Sequence, residues 1–228
     1  MLDGFRVVRL KFCKIGSMQY ISHLDLQRNI ARVLTRAGIP VWYTKGFNPH
    51  AKIVFALPLS VGAQSVCEYV DVRVEREMSC EEIRDRLNAE LTDELRVLEV
   101  YPAERKFGEI AFAEYDYEIV TAGGDEVLAA RIGEALQNGP LTVLRRTKST
   151  ESEVDIRAFL RRFAVSFADG AIRIRAVLSA GEGNYLNPEL LITALRTHAG
   201  ILSGNPTEER YRILRRRALL ADGETSFR

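Results

Sequence analysis

The chain contains the alternating segment Cys67-Glu68-Tyr69-Val70-Asp71-Val72-Arg73-Val74. Val70, Val72 and Val74 fall in one register, and the charged residues Asp71 and Arg73 fall in the other, which is the pattern of a strand with one buried face. A helical pattern that begins at Ser79 follows, and then a short apolar strand pattern at residues 95–100. The stretch from 67 to 100 therefore predicts a strand, a helix and a strand.

The residues before this segment predict a further strand, helix and strand. Residues 6–12 alternate, a helical repeat begins behind Ser22 and stops at Gly38 and Pro40, and residues 52–57 are apolar and strand-like. The combined order, β-α-β-β-α-β, is that of the ferredoxin-like split unit, in which both helices lie on one face of a four-stranded antiparallel sheet. The other face of such a sheet is open to a ligand or a partner.

The order repeats less regularly in the C-terminal half. Its residues predict a strand, a helix, a strand interrupted by the polar stretch 145–153, a hairpin that turns at Asp169-Gly170, a helix and a last strand. We therefore predict an α+β fold of two tandem ferredoxin-like (βαββαβ) halves with antiparallel sheets. The predicted domains are an N-terminal domain with a basic face at 1–102, a connector at 103–112 and a C-terminal domain at 113–228.

The composition is that of an ordinary globular protein, with 46% hydrophobic and 28% charged residues in 228. No apolar run approaches the roughly 20 residues that span a bilayer, and the first residues lack a signal-peptide layout, so we expect a cytoplasmic protein with no membrane partner. Cys13, Cys67 and Cys80 form neither a C-x-x-C pair nor a C-x-x-x-C-x-x-C triplet. We therefore expect no metal and no iron–sulfur cluster in this chain.

Charge is divided along the sequence, although the formal net charge is only +1. Residues 5–52 contain nine Lys or Arg and one acid, a local charge of +8, whereas residues 53–104 contain twelve acids and five arginines. A concentrated basic face is what a polyanion needs, because each phosphate contact releases condensed counterions. The basic block therefore predicts a nucleic-acid surface in the N-terminal domain.

Arg28, Arg32 and Arg36 are four residues apart, which places them along one side of the first predicted helix. Like charges at this spacing repel one another unless an anion neutralises them. Two interpretations stay open, a stripe that tracks phosphates and a solvated helix face that pairs with the acidic block.

The segment between this helix and the next strand is long, aromatic and basic. Its Trp42, Tyr43 and Phe47 are suited to stacking on unpaired bases, which contributes about 1–3 kcal/mol per base. Alternatively, Trp42 and Phe47 pack into the core. The residues that we predict to bind nucleic acid, in this segment and on the helix, are Arg28, Arg32, Arg36, Tyr43, Lys45, Phe47, Asn48, His50 and Lys52.

His23 and His50 flank the helix and the long segment behind it. If they converge, either one is a candidate general base for metal-independent RNA cleavage. The alternative is that they cap the helix and tether the loop. We therefore predict no catalytic residue, and His23 and His50 are the candidates only in the alternative in which the protein cleaves RNA.

A glycine-containing loop at residues 178–188 runs from a predicted strand towards a predicted helix. The amides of Gly181, Gly183 and Asn184 are candidates for holding an anion at the helix N-terminus. The loop has no P-loop lysine, and contact with a partner is an equally good interpretation. The arginine clusters at 145–146, 161–162 and 215–217 add charge without specificity.

Several motifs in order resemble the bacterial radical SAM-linked family, a domain of undefined function found fused to radical SAM proteins or encoded beside them. The resemblance covers most of the chain. The matching motifs are Ile21-Ser22-His23-Leu24-Asp25-Leu26, Arg36-Ala37-Gly38-Ile39-Pro40, Lys45-Gly46-Phe47-Asn48-Pro49-His50, Phe55-Ala56-Leu57-Pro58-Leu59-Ser60-Val61-Gly62, Glu153-Val154-Asp155-Ile156-Arg157 and Leu178-Ser179-Ala180-Gly181.

The resemblance implies a non-catalytic accessory protein of a bacterial cytoplasm whose partner is a separate radical SAM enzyme. That partner would carry the iron–sulfur cluster and S-adenosylmethionine, and structured RNA such as tRNA or rRNA is the expected ligand. The tandem layout is also similar to CRISPR RNA-processing endoribonucleases of the Cas six type, but their glycine-rich loop lies near the C-terminus, whereas the loop here precedes a helix. A pure protein-interaction subunit is the third hypothesis.

Overall fold

The computed structural model describes residues 6–146 and 151–228. In these residues the chain forms antiparallel sheets and four α-helices, which confirms the α+β class. Its contacts divide it into two compact units, one ending at Phe107 (unit 1) and one beginning at Gly108 (unit 2). No helix in the described ranges is long and apolar enough to cross a membrane.

Unit 1 has the predicted element order. Strand β1 pairs with both β3 and β4, and β2 pairs with β3, so its strands lie in the order β4-β1-β3-β2, all antiparallel. The elements are β1 (Arg6–Lys14), α1 (His23–Arg36), β2 (Ile53–Phe55), β3 (Ala63–Val74), α2 (Cys80–Glu90) and β4 (Val97–Pro102).

The helices of unit 1 begin where the sequence predicts them. Ser22 and Ser79 accept hydrogen bonds from the amides of Asp25 and Glu82, which satisfies one exposed donor at each helix start. Helix α1 then turns an apolar stripe towards the sheet, where it packs with alternate residues of β1 and β3. The shared core includes Leu26, Ile30, Val33 and Leu34 of α1, Val8, Leu10 and Phe12 of β1, and Val70, Val72 and Val74 of β3.

Unit 2 contains more strands than predicted. Strand β9 pairs with β8 and β5, and β5 pairs with β11, so four strands lie in the antiparallel order β8-β9-β5-β11, while β10 pairs with the end of β9. The elements are β5 (Phe112–Val120), α3 (Glu126–Asn138), β6 (Thr142–Arg146), β7 (Glu151–Asp155), β8 (Leu160–Ala168), β9 (Ala171–Gly181), β10 (Asn184–Tyr185), α4 (Glu189–Ala199) and β11 (Arg210–Leu219).

The interrupted strand of the prediction is instead a hairpin of its own. Strands β6 and β7 pair with each other between α3 and β8. Part of the predicted interruption, residues 147–150, lies outside the described residues. The predicted turn between β8 and β9 is confirmed, and it places Asp169 and Gly170 at φ angles of 54° and 74°.

Candidate functional site

The basic block of unit 1 does not form one continuous face. Arg9 is completely buried, where it donates two hydrogen bonds to the Asp71 carboxylate at 2.7 and 2.9 Å. It also donates to the Arg105 carbonyl at 2.7 Å, and its guanidinium lies 4.3 Å from the centre of the Phe107 ring. Lys14 is buried as well. These cations are inside the unit and are unavailable to a polyanion.

Strand pairing explains this neutralisation. Because β1 lies between β3 and β4, its basic residues face the acidic residues of those strands. Arg9 is directly opposite Asp71, and Lys11 is directly opposite Glu99, with 2.5 Å between the charged atoms. Arg9 and Lys14 therefore do not contribute to the predicted basic face, which stays a prediction for the exposed cations of the block. The sequence separates the two charges, and the sheet brings them together.

The three arginines of α1 are exposed but differ in their partners. Arg28 pairs with Asp25 one turn earlier at 3.3 Å, and Arg36 pairs with Glu90 of α2 at 2.8 Å. The Ser22 hydroxyl, with Arg28, lowers the pKa of Asp25, so this acid is ionised beside Arg28. Arg32 has no carboxylate partner among the described residues. The helix therefore presents one uncommitted guanidinium.

Residues 42–52 form a closed hairpin, which we call the tip hairpin. The Lys52 amide donates to the Trp42 carbonyl and the Thr44 amide donates to the His50 carbonyl, both at 2.9 Å. The Trp42 amide also donates to the Arg73 carbonyl of β3 at 2.8 Å, which fixes the base of the hairpin to the sheet. The backbone of the predicted loop is therefore ordered by its own hydrogen bonds.

The tip hairpin presents an aromatic ring to solvent. Phe47 is fully exposed, at 108% of its reference area, so it does not pack into the core. Trp42 is half-buried, and the Arg73 guanidinium covers its ring at 4.6 Å, so stacking on a base is open to Phe47 and Tyr43 but not to the covered face of Trp42. The predicted binding residues exposed around Phe47 are Tyr43, Lys45, Asn48, His50 and Lys52.

The two histidines have separate surroundings. His50 closes the tip hairpin, since its Nδ1 lies 3.0 Å from the Thr44 hydroxyl and 3.2 Å from the Asn48 carbonyl. His23 lies at the start of α1, where its Nε2 is 3.0 Å from the Gln27 amide nitrogen and its ring meets the edge of Phe55. His23 and His50 thus contact different neighbours. This is what we expect if one histidine lies at the helix start and the other tethers the loop.

The glycine loop differs from its prediction. Gly181 ends β9, and Asn184 turns back to pair with it in β10, so the loop is a tight hairpin with Gly183 at a φ of 75°. Helix α4 begins only at Glu189. The amide N–H of Glu189 already donates to the Asn187 side-chain oxygen at 3.0 Å, so it is not available to an anion. Gly181, Gly183 and Asn184 therefore belong to the β9–β10 hairpin and not to the first turn of α4, and their anion-binding role stays a prediction.

Sequence reasoning missed a cluster of arginines on the sheet of unit 2. A groove of about 450 Å³ crosses the sheet face and is lined by charged side chains of β5, β9 and β11. The signal in the sequence is the even spacing of the arginines within each strand, 173 and 175 in β9 and 212 and 216 in β11, which a strand places on one face. The charged lining residues, which together define the arginine groove, are Asp116, Glu118, Arg173, Arg175, Arg212 and Arg216.

The acids of β5 hold these arginines in place. Asp116 pairs with Arg175 at 2.8 Å and with Arg216 at 3.5 Å, and Glu118 pairs with Arg212 at 3.7 Å. The hydrogen bond and charge of Asp116 raise the pKa of Arg175. Two guanidiniums therefore share one carboxylate, which leaves part of their hydrogen-bonding capacity for a ligand.

A third acid of β5 is buried beside the groove. Glu114 accepts from Arg217 at 2.7 and 3.1 Å, and Arg162 lies 3.6 Å away. Burial raises the pKa of Glu114, but the hydrogen bond and charge of Arg217, with the charges of Arg175 and Arg162, lower it below its ordinary value overall. Within the described ranges, no three His, Cys, Asp or Glu residues are grouped as metal ligands.

Comparisons with known proteins give a family but no activity. No curated protein matches the chain. Similar solved structures include the crystal structure of a Cbf5-Nop10-Gar1 complex, at 10% identity over 92% of this chain and 48% of that chain, with a TM-score of 0.49. They also include an unknown protein from Galdieria sulphuraria, at 11% identity over 92% and 98% of the two chains, with a TM-score of 0.27.

The chain thus spans about half the length of the matched chain in the Cbf5-Nop10-Gar1 structure. The family model described as "Uncharacterized protein conserved in bacteria (DUF2344)" matches residues 7–188, which is most of the chain. This protein therefore belongs to the DUF2344 family of uncharacterized bacterial proteins.

Proposed function

We propose that the protein binds RNA and that the tip hairpin contacts unpaired bases. The observation that carries this proposal is the full exposure of Phe47 at the end of an ordered hairpin. Residues 41–52 contain two lysines and no acid, so the charge around the ring favours a polyanion. An aromatic ring on a basic hairpin combines a stacking surface with phosphate contacts.

The energetics favour a ligand over a structural role for Phe47. A ring that contacts no core residue adds nothing to folding, while its exposed apolar area is unfavourable in water. Stacking on one base recovers about 1–3 kcal/mol. The cross-hairpin hydrogen bonds of Thr44 and Lys52 reduce the entropy lost when the tip binds, because the backbone is ordered beforehand.

The partner in this proposal is a radical SAM enzyme. The motifs at residues 21–26 and 45–50 resemble the radical SAM-linked family, and they include the start of α1 and most of the tip hairpin. The enzyme, a separate chain of the bacterial cytoplasm, would supply the iron–sulfur cluster and S-adenosylmethionine, and this protein would present tRNA or rRNA for modification. It is then an accessory protein without catalysis of its own.

We also propose that both units are ferredoxin-like halves. The strand orders β4-β1-β3-β2 and β11-β5-β9-β8 support this, because each follows the same antiparallel path when strands are numbered within their unit. In unit 2 the β6–β7 hairpin is then an insertion between the first helix and the second strand of the half.

The experiment is fluorescence anisotropy of labelled total tRNA and rRNA fragments with wild-type protein, Phe47→Ala and Tyr20→Ala at physiological salt. Tyr20 is the matched control, since it is also an exposed aromatic residue of unit 1. We expect sub-micromolar wild-type binding that weakens about 5- to 100-fold in Phe47→Ala and stays unchanged in Tyr20→Ala. Equal affinity of the wild type and Phe47→Ala would remove the hairpin from the interface.

An absence of RNA binding at physiological salt would favour the protein-interaction hypothesis. A pull-down of the radical SAM enzyme with wild type and Phe47→Ala then measures whether the exposed ring docks on a protein. Association lost with Phe47 would identify the tip hairpin as a protein contact, and association kept in both proteins would locate that contact elsewhere.

A metal-independent endoribonuclease of the CRISPR RNA-processing type is the second candidate. The observation in its favour is the His50 environment, because donation from Nδ1 to the Asn48 carbonyl leaves Nε2 as an acceptor for a 2′-hydroxyl proton. Incubation of RNA with pure protein in EDTA measures this activity. Cleavage that His50→Ala abolishes and His23→Ala retains would establish it, and intact RNA would exclude it.

A further inference from the structure

We propose that the arginine groove of unit 2 binds the sugar-phosphate backbone of RNA. This inference rests on the proposed RNA-binding function and adds a second, separately testable contact to it. The groove lies on a sheet face and is built entirely from residues of unit 2. No residue of the groove belongs to the tip hairpin.

The strand register creates the groove. Arg175 and Leu214 lie on either side of Asp116, and Arg173 and Arg212 lie on either side of Glu118, so two cross-strand rows run side by side. The neighbouring residue Tyr117 points the other way, since its hydroxyl donates to the Pro188 carbonyl beside α4. The helix side of the sheet is thus filled, and the charged rows face away from it.

The groove has an excess of positive charge. Its lining contains four arginines and two acids, a net charge of +2. The turn acid Asp169 contacts Arg173 at 2.6 Å, but this acid is largely exposed and does not line the groove. An exposed pair of this kind contributes little energy. A phosphate therefore meets cations that the protein has neutralised only in part.

The acids orient the arginines but do not occupy all of their N–H donors. Asp116 is shared by two guanidiniums, and the Arg216 and Arg212 contacts are long, at 3.5 and 3.7 Å. The side chains of Arg212 and Arg216 are 54% and 48% exposed, so their donors reach solvent. A guanidinium held on one edge by a carboxylate can present its other edge to a phosphate with little further loss of side-chain entropy.

The spacing of the groove fits a chain of phosphates better than one anion. Neighbouring strands are about 4.8 Å apart and alternate residues of one strand about 6.6 Å apart, so its arginines are distributed over several phosphate-sized steps. Leu214 and Ala164 line the groove between the charges and offer apolar contact to ribose. A phosphodiester backbone supplies both the repeated charge and the sugar surface.

Two variants with opposite charge changes test the groove. Arg212→Ala/Arg216→Ala removes the two arginines with the longest ion pairs, and Glu118→Gln removes one half-exposed acid. Arg84→Ala/Arg86→Ala is the matched control, because it removes two similarly exposed arginines from α2 of unit 1. Thermal melting of each variant verifies that it folds, and none of these side chains is buried.

The measurement is the Kd for fluorescein-labelled tRNA by anisotropy across a salt series. We expect Arg212→Ala/Arg216→Ala, the β11 double variant, to bind about ten-fold more weakly. The slope of log K against log salt, which is negative, should become less steep by about 1 to 2. Glu118→Gln should bind about two- to three-fold more tightly, since it raises the groove charge by one. The α2 double variant should stay near wild type.

Equal effects of the β11 and α2 double variants would overturn the inference, because any loss of charge would then act alike. Weakening by Glu118→Gln would overturn it too, since the acids would then be required for binding. If Phe47→Ala weakens binding and the β11 variant does not, RNA contacts the tip hairpin and the groove inference is wrong. If only the β11 variant weakens binding, RNA contacts the groove and the proposal for the tip hairpin is wrong. If the wild type binds no RNA, both fail together.

Discussion

Units 1 and 2 distribute positive charge in opposite ways. In unit 1 the basic residues are concentrated in the sequence, but the sheet buries Arg9 and pairs Lys11 with Glu99, and helix α2 pairs Arg36 with Glu90. In unit 2 the arginines are divided between two strands that are far apart in the sequence, β9 and β11, but the sheet gathers Arg173, Arg175, Arg212 and Arg216 on one face. The density of charge along the sequence therefore does not by itself predict the density of charge on the folded surface.

The acids have different roles in the two units. In unit 1 Asp71 and Glu99 each oppose one cation across a strand pair, so these charges cancel inside the unit. In unit 2 Asp116 serves two arginines, so an excess remains at the surface. The exposed cations of unit 1 that the described acids leave unpaired include Arg32 of α1 and the tip-hairpin lysines Lys45 and Lys52, which lie on a segment without acids.

The largest expected effect comes from the buried pair of unit 1. Arg9→Ala leaves the Asp71 carboxylate without its bidentate donor in a part-buried site, so the free energy of unfolding should fall by about 3–5 kcal/mol. Urea denaturation measures the change. Lys11→Ala is the control, since the half-exposed Lys11–Glu99 pair should contribute less than about 1 kcal/mol. Equal losses would show that Arg9 does not organise the unit.

The second effect concerns the buried acid beside the groove. Glu114→Gln removes the charge that Arg217 contacts, and the free energy of unfolding at pH 7 should fall by about 1–3 kcal/mol. The side chain of Glu114 is only 9% exposed, so solvent screens this pair weakly. A loss below about 0.5 kcal/mol, measured by urea denaturation, would mean that Arg217 gains nothing from this acid.

The pH dependence of stability follows from the same acid. The folded pKa of Glu114 is lowered, so its contribution is fully present above the unfolded pKa, near 4.5, and is lost as the pH falls through the folded value. Urea midpoints of the wild type should therefore drop below about pH 4.5. The Glu114→Gln variant should show a smaller drop over the same range, and parallel curves would contradict the assignment.

The sequence predicted the local features of the fold well. Ser22 and Ser79 cap their helices, and the Asp169-Gly170 turn forms, because these signals depend on residues within one or two turns of chain. The β6–β7 hairpin was missed because its strands are short and their pairing depends on residues that read only as polar.

The sequence could not predict which charges remain free. The Arg9–Asp71 and Lys11–Glu99 pairs join residues more than sixty positions apart, and they depend on the strand register, which one sequence does not fix. The exposure of Phe47 was likewise ambiguous, because an aromatic residue in a loop can face the core or the solvent. The arginine groove depends on two strand registers at once, those of β5 with β9 and of β5 with β11.

The smallest expected effects distinguish the arginines of α1. Arg36→Ala should leave RNA affinity almost unchanged because Glu90 already neutralises Arg36, whereas Arg32→Ala should weaken RNA binding about two- to three-fold. Anisotropy with the same labelled tRNA resolves the difference. A larger loss in Arg36→Ala than in Arg32→Ala would mean that Arg36 leaves Glu90 when RNA binds.

The most direct test compares the salt dependence of tRNA binding for two double variants. Arg28→Ala/Arg36→Ala removes paired arginines of unit 1, and Arg212→Ala/Arg216→Ala removes arginines of the groove. We predict an unchanged slope of log K against log salt for the first variant and a slope lower by about 1 to 2 for the second. A lower slope in the α1 variant with a wild-type slope in the groove variant would contradict this account.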